Sequence, residues 1–513
     1  MPTTAHDHPV YRNPILDEDR PDPDAIRVGD DYFLVTSSFN RSPGLPVLTS
    51  SDLVNWRILT HALEGNTPDE WFSLPRHGSG VWAPSIRHRN GTFHIVYPDP
   101  DQGIFVVSAT DAAGPWSEPR LLLRGSGIID PCPLWDDDGR AYLVHGWARS
   151  RAGMKNQLWV APVDPELTTT IGASRLVIDG NAIPECGTLE GPKFYRHGGW
   201  YWIFAPAGGV ATGWQSAFRS RDPYGPYEHR VVLEQGSTAV NGPHQGAWVD
   251  TPDGSDWFLH FQDRGVFGRV LHLQPMAWGE DGWPLMGKAV AGGPAEPVEA
   301  HPSPFGTSQG TRTLAHADDF HTRPGPNWTW QANRQSDRAG SGDGLRMTAA
   351  AEDGGNLRTL SAVMGQPLPG LSGVTFEVSV EITGSPGTRA GLAVLGLDYV
   401  WAGLRTATDG PRIVVATRAD GDAHETVHVD RPATSSAIRL RMRTDAGGNV
   451  SVSVRDAEGW TTAAGLAHPA TKGQWIGAEI ALFAASPLGG NAGEATFRGF
   501  RIAEVDTDAK AEA

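Results

Sequence analysis

One pattern recurs five times between Tyr11 and about Leu285, and it narrows the folds open to this chain. Each copy has a first residue, a tight corner, a short strand-like run, a turn, and then an apolar run led by an aromatic. Asp22 to Val28 leads into Tyr32–Val35, and Ala83 to Arg89 into Phe93–Val96. Asp130 to Asp136 leads into Tyr142–Val144, Glu190 to Arg196 into Trp200–Phe204, and His244 to Asp250 into Trp257–Leu259. The aromatic anchors Tyr32, Phe93, Tyr142, Tyr201 and Trp257 are 61, 49, 59 and 56 residues apart. Periods of this size signal arrays or propellers.

The inside of each copy is ordered too. Asp30-Asp31, Asn90-Gly91, Asp138-Gly139, Gly198-Gly199 and Gly254-Ser255 precede the anchors and suit tight hairpin turns. A third strand follows, as at Ile104–Val107 and Leu158–Val160. A turn and an aromatic or apolar closing strand are expected at Asp52–Trp56, Ala113–Trp116 and Tyr224–Tyr227. Four short strands per period make a propeller blade, and a ring of blades leaves only short, protected sheet edges. The 62 Gly, 40 Pro and 19 Trp fit many turns and aromatic-rich strands, and no long helical period appears. A five-bladed β-propeller over residues 11–290 is therefore expected.

Residues 291–313 read as a linker, because Gly292–Pro297 and His301–Pro304 are too rich in Pro and Gly for a regular element. Residues 314–505 alternate strands with Gly-rich turns. Val374–Ile382, Ile413–Thr417, Ala437–Arg443 and Val450–Val454 show a period of two, as expected of antiparallel sheets packed in a sandwich. Residues 1–10 and 504–513 are expected to be disordered ends. The chain as a whole reads as all-β.

The formal net charge of −17 argues against nucleic acid or an anionic membrane surface as partner and is compatible with a neutral sugar. Oligomeric state leaves no mark in the sequence. Cys132 and Cys186 lack metal or redox spacing and read as two buried thiols. The first residues lack the basic and apolar regions of a signal peptide, and no apolar run approaches a bilayer's width. A cytoplasmic location is the expectation.

In a propeller the innermost strands meet near the axis, so equivalent positions of all copies surround one pocket. That brings together Asp22, Asp130 and Glu190. Carboxylates so gathered repel one another unless one holds a proton. A protonated acid beside an ionised base is what glycosidic hydrolysis requires. Each Asp taken singly also fits a turn before Pro; the three in register favour chemistry.

The motifs resemble glycoside hydrolase family 43, which includes β-xylosidases and α-L-arabinofuranosidases. The matching stretches are Asn13–Leu16 with Arg20–Asp24, Ser79–Pro84, Ile129-Asp130, Leu189–Pro192, and Gly268-Arg269 with His272–Trp278. The resemblance implies an inverting enzyme with Asp22 as general base, Glu190 as general acid and Asp130 as the carboxylate that raises the acid's pKa. It implies substrate contacts from Phe39, Trp82, Ile129, Arg269 and His244. The rings also suit core packing, and Arg269 also suits a plain ion pair. No cofactor is required, but relatives carry an axial histidine, sometimes with calcium, which makes His244 a candidate ligand. The C-terminal region resembles the concanavalin A-like sandwich of family β-xylosidases through Asp319-Phe320 and Trp328–Gln331. In such relatives a sandwich loop closes one side of the pocket.

The expected activity is removal of terminal xylose or arabinofuranose from xylan- or arabinan-derived oligosaccharides. Two rivals remain: a sugar-binding propeller without turnover, and a retaining fructosidase-like hydrolase. The latter family's Asn-Asp-Pro-Asn-Gly opening is absent.

Overall fold

The computed structural model describes residues 9–504, apart from 334–338, 341, 353, 354, 372, 491 and 492. Five four-stranded antiparallel sheets follow one another along the chain. Their first strands are Asp24–Val28, Ser85–Arg89, Ile128–Trp135, Lys193–His197 and His244–Asp250. Each aromatic anchor sits on the second strand of its sheet, paired across to the first.

The first strands form a ring tied by buried polar groups. Asp24 of the first blade accepts from Ile86 N at 2.8 Å and from Arg87 at 2.6 Å in the second. Arg87 donates to Cys132 Sγ of the third blade at 2.8 Å, and that sulfur also accepts from Phe194 N of the fourth at 3.2 Å. Trp248 N of the fifth blade donates to Tyr195 Oη of the fourth at 3.1 Å. Arg27 pairs with Asp250 at 2.5 Å, joining the first blade to the fifth. Where such groups are buried, as at Asp24, Cys132 and Phe194, they must be paired, so those ties also fix a blade's rotation; the Arg27–Asp250 pair is half-exposed. The apolar anchors pack between blades in separate clusters rather than one common core. Cys132 and Cys186 are both free and buried in the same cluster, as expected.

Two details differ from the sequence reading. Asp52–Trp56, Ala113–Trp116 and Tyr224–Tyr227 are turns; the closing strands lie just beyond, at Arg57–Leu63, Arg120–Arg124 and Glu228–Leu233. The aromatic ends each turn; Trp56 donates back to Leu53 O within its turn and Trp116 to Ala112 O just before its own. The proline-rich linker does carry regular structure. Ala300–Pro302 pairs with Val10–Arg12, and Lys288 bridges Glu296. Proline is tolerated at such edges, where its missing N–H faces no partner strand. Val10 thus lies in a strand; residues 1–8 and 505–513, expected to be disordered, lie outside the described residues.

The second region is a sandwich of two eight-stranded sheets. Its central strands include Gly373–Thr383, whose buried and half-buried residues alternate, and Glu479–Pro487, which is buried almost throughout. Phe320 and Trp328 enter its core, with Trp328 edge-on to Phe500 at 5.0 Å. The sandwich is bound to the propeller directly. Ser42 and Trp330 exchange backbone hydrogen bonds, Asn40 donates to Gln331 O at 2.6 Å, and Arg41 pairs with Glu479. No helix among the described residues is long and apolar enough to cross a membrane.

Candidate active site

Four of the five first positions converge at one mouth of the ring. A hollow of about 450 Å³ is lined there by Asp22, Ala83, Asp130 and Glu190, together with Phe39, Trp82, Ile129 and Arg269. Seven of the eight residues expected at the site therefore line it.

The local backbone explains how these side chains are aimed inward. Asp22 has φ 56°, Asp130 φ 55° and Phe39 φ 50°, a left-handed region that residues with a Cβ seldom occupy. Asp130 lies where the pairing of its strand slips between Ile129 and Cys132, a bulge that re-aims a side chain. Such strain persists only where surrounding structure imposes it, and it gathers at functional sites.

The eighth residue, His244, departs from expectation. Its side chain is fully buried, and Gln245 lines the hollow instead. The cause is a slip in pairing between His244 and Gly246 that leaves Gln245 at φ 38° and turned inward. Gly191 makes room for it: a Cβ there would stand 2.5 Å from Gln245 Cγ. His244 lies behind Glu190, with Nε2 3.8 Å from Oε1. Burial, and then the nearby Arg269, push its pKa down to about 3, so the imidazole is neutral. Calcium takes six to eight oxygen ligands. The described residues assemble no group of three or more His, Cys, Asp and Glu able to hold a metal, and His244 offers only nitrogen. The donor set does not fit that ion.

The three acids are held differently. Asp22 accepts from Arg269 at 2.7 Å on one oxygen and from Ser37 Oγ at 2.5 Å on the other, which fixes its orientation. Asp130 is buried and accepts from Gly191 N at 2.8 Å. Glu190 faces the hollow, its side chain 30% exposed. Burial raises the pKa of Glu190 to about 8, with the charge of Asp130 next in weight. Burial, together with Asp22, raises Asp130 to about 7, against the Gly191 hydrogen bond. Each carboxylate repels the charge of its neighbours, so the acids of the hollow do not all ionise readily. Burial opposes the charge of Arg269, but Asp22, Asp19 and Glu190 more than offset it. Near neutral pH the hollow thus holds a carboxylic acid able to donate and a carboxylate fixed by a guanidinium.

Aromatic rings form one wall. Trp82 stands edge-on to Phe39 at 6.4 Å and donates to Gly78 O at 3.1 Å. Trp475, from the sandwich, completes the wall edge-on to Trp82 at 6.2 Å. This is the domain-closing loop whose position the sequence did not reveal. It carries no periodicity, and the one available signal was a Trp between glycines, at Gly473–Gly477, where no strand pattern demands it.

A five-bladed ring with acids and an arginine at its mouth, roofed by a β-sandwich, defines a class of propeller glycoside hydrolases. Residues 11–284 match the profile of "Glycosyl hydrolases family 43", and the chain belongs to that family. Residues 317–503 match "Beta xylosidase C-terminal Concanavalin A-like domain". A putative beta-xylosidase of Xylanibacter ruminicola is 42% identical over 325 residues, 63% of this chain and 59% of that protein. A non-reducing end alpha-L-arabinofuranosidase of Bacteroides ovatus is 34% identical over 296 residues, 54% of each. The matched part thus spans little more than half the length of these relatives. The solved xylan beta-1,4-xylosidase of Bacillus halodurans shares the fold across both domains. Its TM-score is 0.84 at 22% identity, covering 96% of this chain and all of that one.

Proposed function

We propose that this protein is an inverting exo-acting glycosidase that removes terminal pentose residues, β-1,4-linked xylose, α-L-arabinofuranose or both, from xylan- or arabinan-derived oligosaccharides. One observation carries the reading: Glu190 faces the same hollow where Arg269 and Ser37 fix Asp22, and burial with the charge of Asp130 raises its pKa there. The names of the two relatives support the choice of sugars.

The reading implies the following steps. Glu190 gives its proton to the glycosidic oxygen as the bond to the anomeric carbon breaks. Asp22 takes a proton from water, whose oxygen bonds to that carbon from the opposite face. The products are a free sugar of inverted configuration and an alcohol, with Glu190 ionised and Asp22 protonated. Exchange with solvent resets both. Asp130 keeps the acid's pKa high through its charge and anchors Gly191, the residue after the acid. Arg269 orients the base and contacts sugar hydroxyls, while Phe39, Trp82 and Ile129 face the apolar side of the ring. A wall closed by Trp475 suits end-on entry of a single sugar.

A panel of aryl glycosides tests the reading. Release of the aryl group is expected from β-D-xyloside, α-L-arabinofuranoside or both, and not from a fructoside. A protein that binds xylo-oligosaccharides in calorimetry but cleaves none of the panel would be a binding propeller instead.

A further inference from the structure

Residues 17–20 read Asp-Glu-Asp-Arg, and all four are buried. Three have charged partners: Asp17 pairs with Arg264, and Glu18 pairs with Arg20 at 2.5 Å. Asp19 gives both oxygens to backbone instead. Its Oδ1 accepts from Arg269 N at 2.7 Å and its Oδ2 from Gly477 N at 3.1 Å. The first contact belongs to the propeller; the second belongs to the sandwich.

Both contacts lead to the pocket. Arg269 is gripped on either side of its peptide unit, because Arg20 N also donates to Arg269 O at 2.8 Å. Its side chain then reaches Asp22 at 2.7 Å. Gly477 lies two residues beyond Trp475, the ring that walls the hollow and sits at φ 65°. The sandwich loop is clamped onto the turn before Arg269, where Ala478 N donates to Val266 O at 2.7 Å. Two glycines permit the approach. A Cβ at Gly268 would lie 2.1 Å from Asp19 Oδ1, and one at Gly477 would lie 2.7 Å from Gly268 N. An acid buried without a cation bonded to it is a costly choice if the role were only to fill space. Burial raises its pKa to about 6, in keeping with that cost.

We propose that Asp19 is a positioning residue that keeps the two domains' contributions to the pocket in register: one carboxylate oxygen sets Arg269, and through it the base Asp22, while the other sets the loop that carries Trp475. This rests on the reading of the hollow as a glycosidase site.

Asp19→Asn in the full chain tests it, because an amide side chain has one acceptor oxygen and cannot serve both N–H groups. Hydrogen exchange at the Arg269 and Gly477 amides should accelerate by about ten-fold or more, the worth of a charged hydrogen bond. On aryl pentosides kcat should fall and KM should rise. Gly477→Ala keeps the Asp19 carboxylate but presses a Cβ against the Gly268 peptide, so the loop that carries Trp475 should lift and KM should rise. Exchange unchanged at either amide in Asp19→Asn overturns the proposal. Faster exchange with kcat and KM both unmoved overturns it as well, leaving Asp19 a plain structural group. If Asp19→Asn does not fold, Gly477→Ala decides alone, and an unchanged KM counts against the proposal. A wild-type protein inert on every pentoside contradicts the glycosidase reading, and the exchange measurement still decides whether Asp19 holds both segments.

Discussion

The propeller and the sandwich bury different things. The sandwich has one continuous apolar core running through both sheets. The propeller divides its apolar residues into smaller clusters between blades and buries charge round its axis, including Asp22, Asp24, Asp130 and Lys193. Left-handed non-glycine residues follow the same division. Most lie in the propeller, four of them on the hollow (Asp22, Phe39, Asp130 and Gln245), while the described part of the sandwich has only Phe320 and Trp475. One of those two lines the hollow. Strain and buried charge thus accumulate round the hollow, and the sandwich departs from regularity mainly where it reaches that place.

If that contrast is right, mutations in the two regions should fall into different kinetic classes. The largest effects belong to the propeller's acids. Asp22→Asn should lower kcat on all pentosides by about 10²–10⁴-fold. Glu190→Gln should do the same for natural oligosaccharides and much less for aryl glycosides whose leaving group needs no proton. Equal losses on both kinds of substrate would remove Glu190 from the acid's role.

Asp130→Asn comes next. Glu190 acts in its protonated form, which persists below its raised pKa of about 8 and is lost as pH rises through it. Removing the Asp130 charge should lower that pKa. The alkaline limb of the pH–rate profile should then move to lower pH by about one unit, lowering kcat by about ten-fold on the alkaline side of the limb and about two-fold at neutral pH, one pKa unit being about 1.4 kcal/mol. A limb that stays in place would detach Asp130 from the acid.

Trp475→Ala should raise KM for xylobiose or arabino-oligosaccharides by about three- to ten-fold, as expected from losing about 0.5–1.5 kcal/mol of aromatic contact. Its kcat should change little. The smallest kinetic effect should come from inside the sandwich. Arg389 is buried between Glu352 at 2.7 Å and Glu425 at 2.5 Å. Arg389→Met strands two buried carboxylates and should cost about 3–5 kcal/mol of stability in denaturant unfolding. The kcat/KM of the folded fraction should be unchanged. A large catalytic loss there would mean that the sandwich does more than roof the pocket.

Much of this was legible in the sequence because a propeller turns chain rhythm into spatial position. Asp22, Asp130 and Glu190 stand 168 residues apart from first to last, yet their shared register placed them together. The same logic misplaced His244. A one-residue slip in pairing gives its place to Gln245, and a bulge leaves no reliable trace in the pattern of residue types. Trp475 was not legible because its position depends on how two domains dock, through Asp19, Gly268 and Gly477. Composition hides that contact: Asp17–Arg20 reads as a solvated charged run, and only the fold buries it.

In the proposed reaction water displaces the leaving group in a single step between the acid Glu190 and the base Asp22. Proton NMR of the first sugar released from an aryl β-D-xyloside or α-L-arabinofuranoside tests it most directly. The first-formed anomer should have the opposite configuration to the substrate, α-xylose from the β-xyloside or β-arabinofuranose from the α-arabinofuranoside, before mutarotation mixes the two. Initial release of sugar with the substrate's own configuration would contradict it.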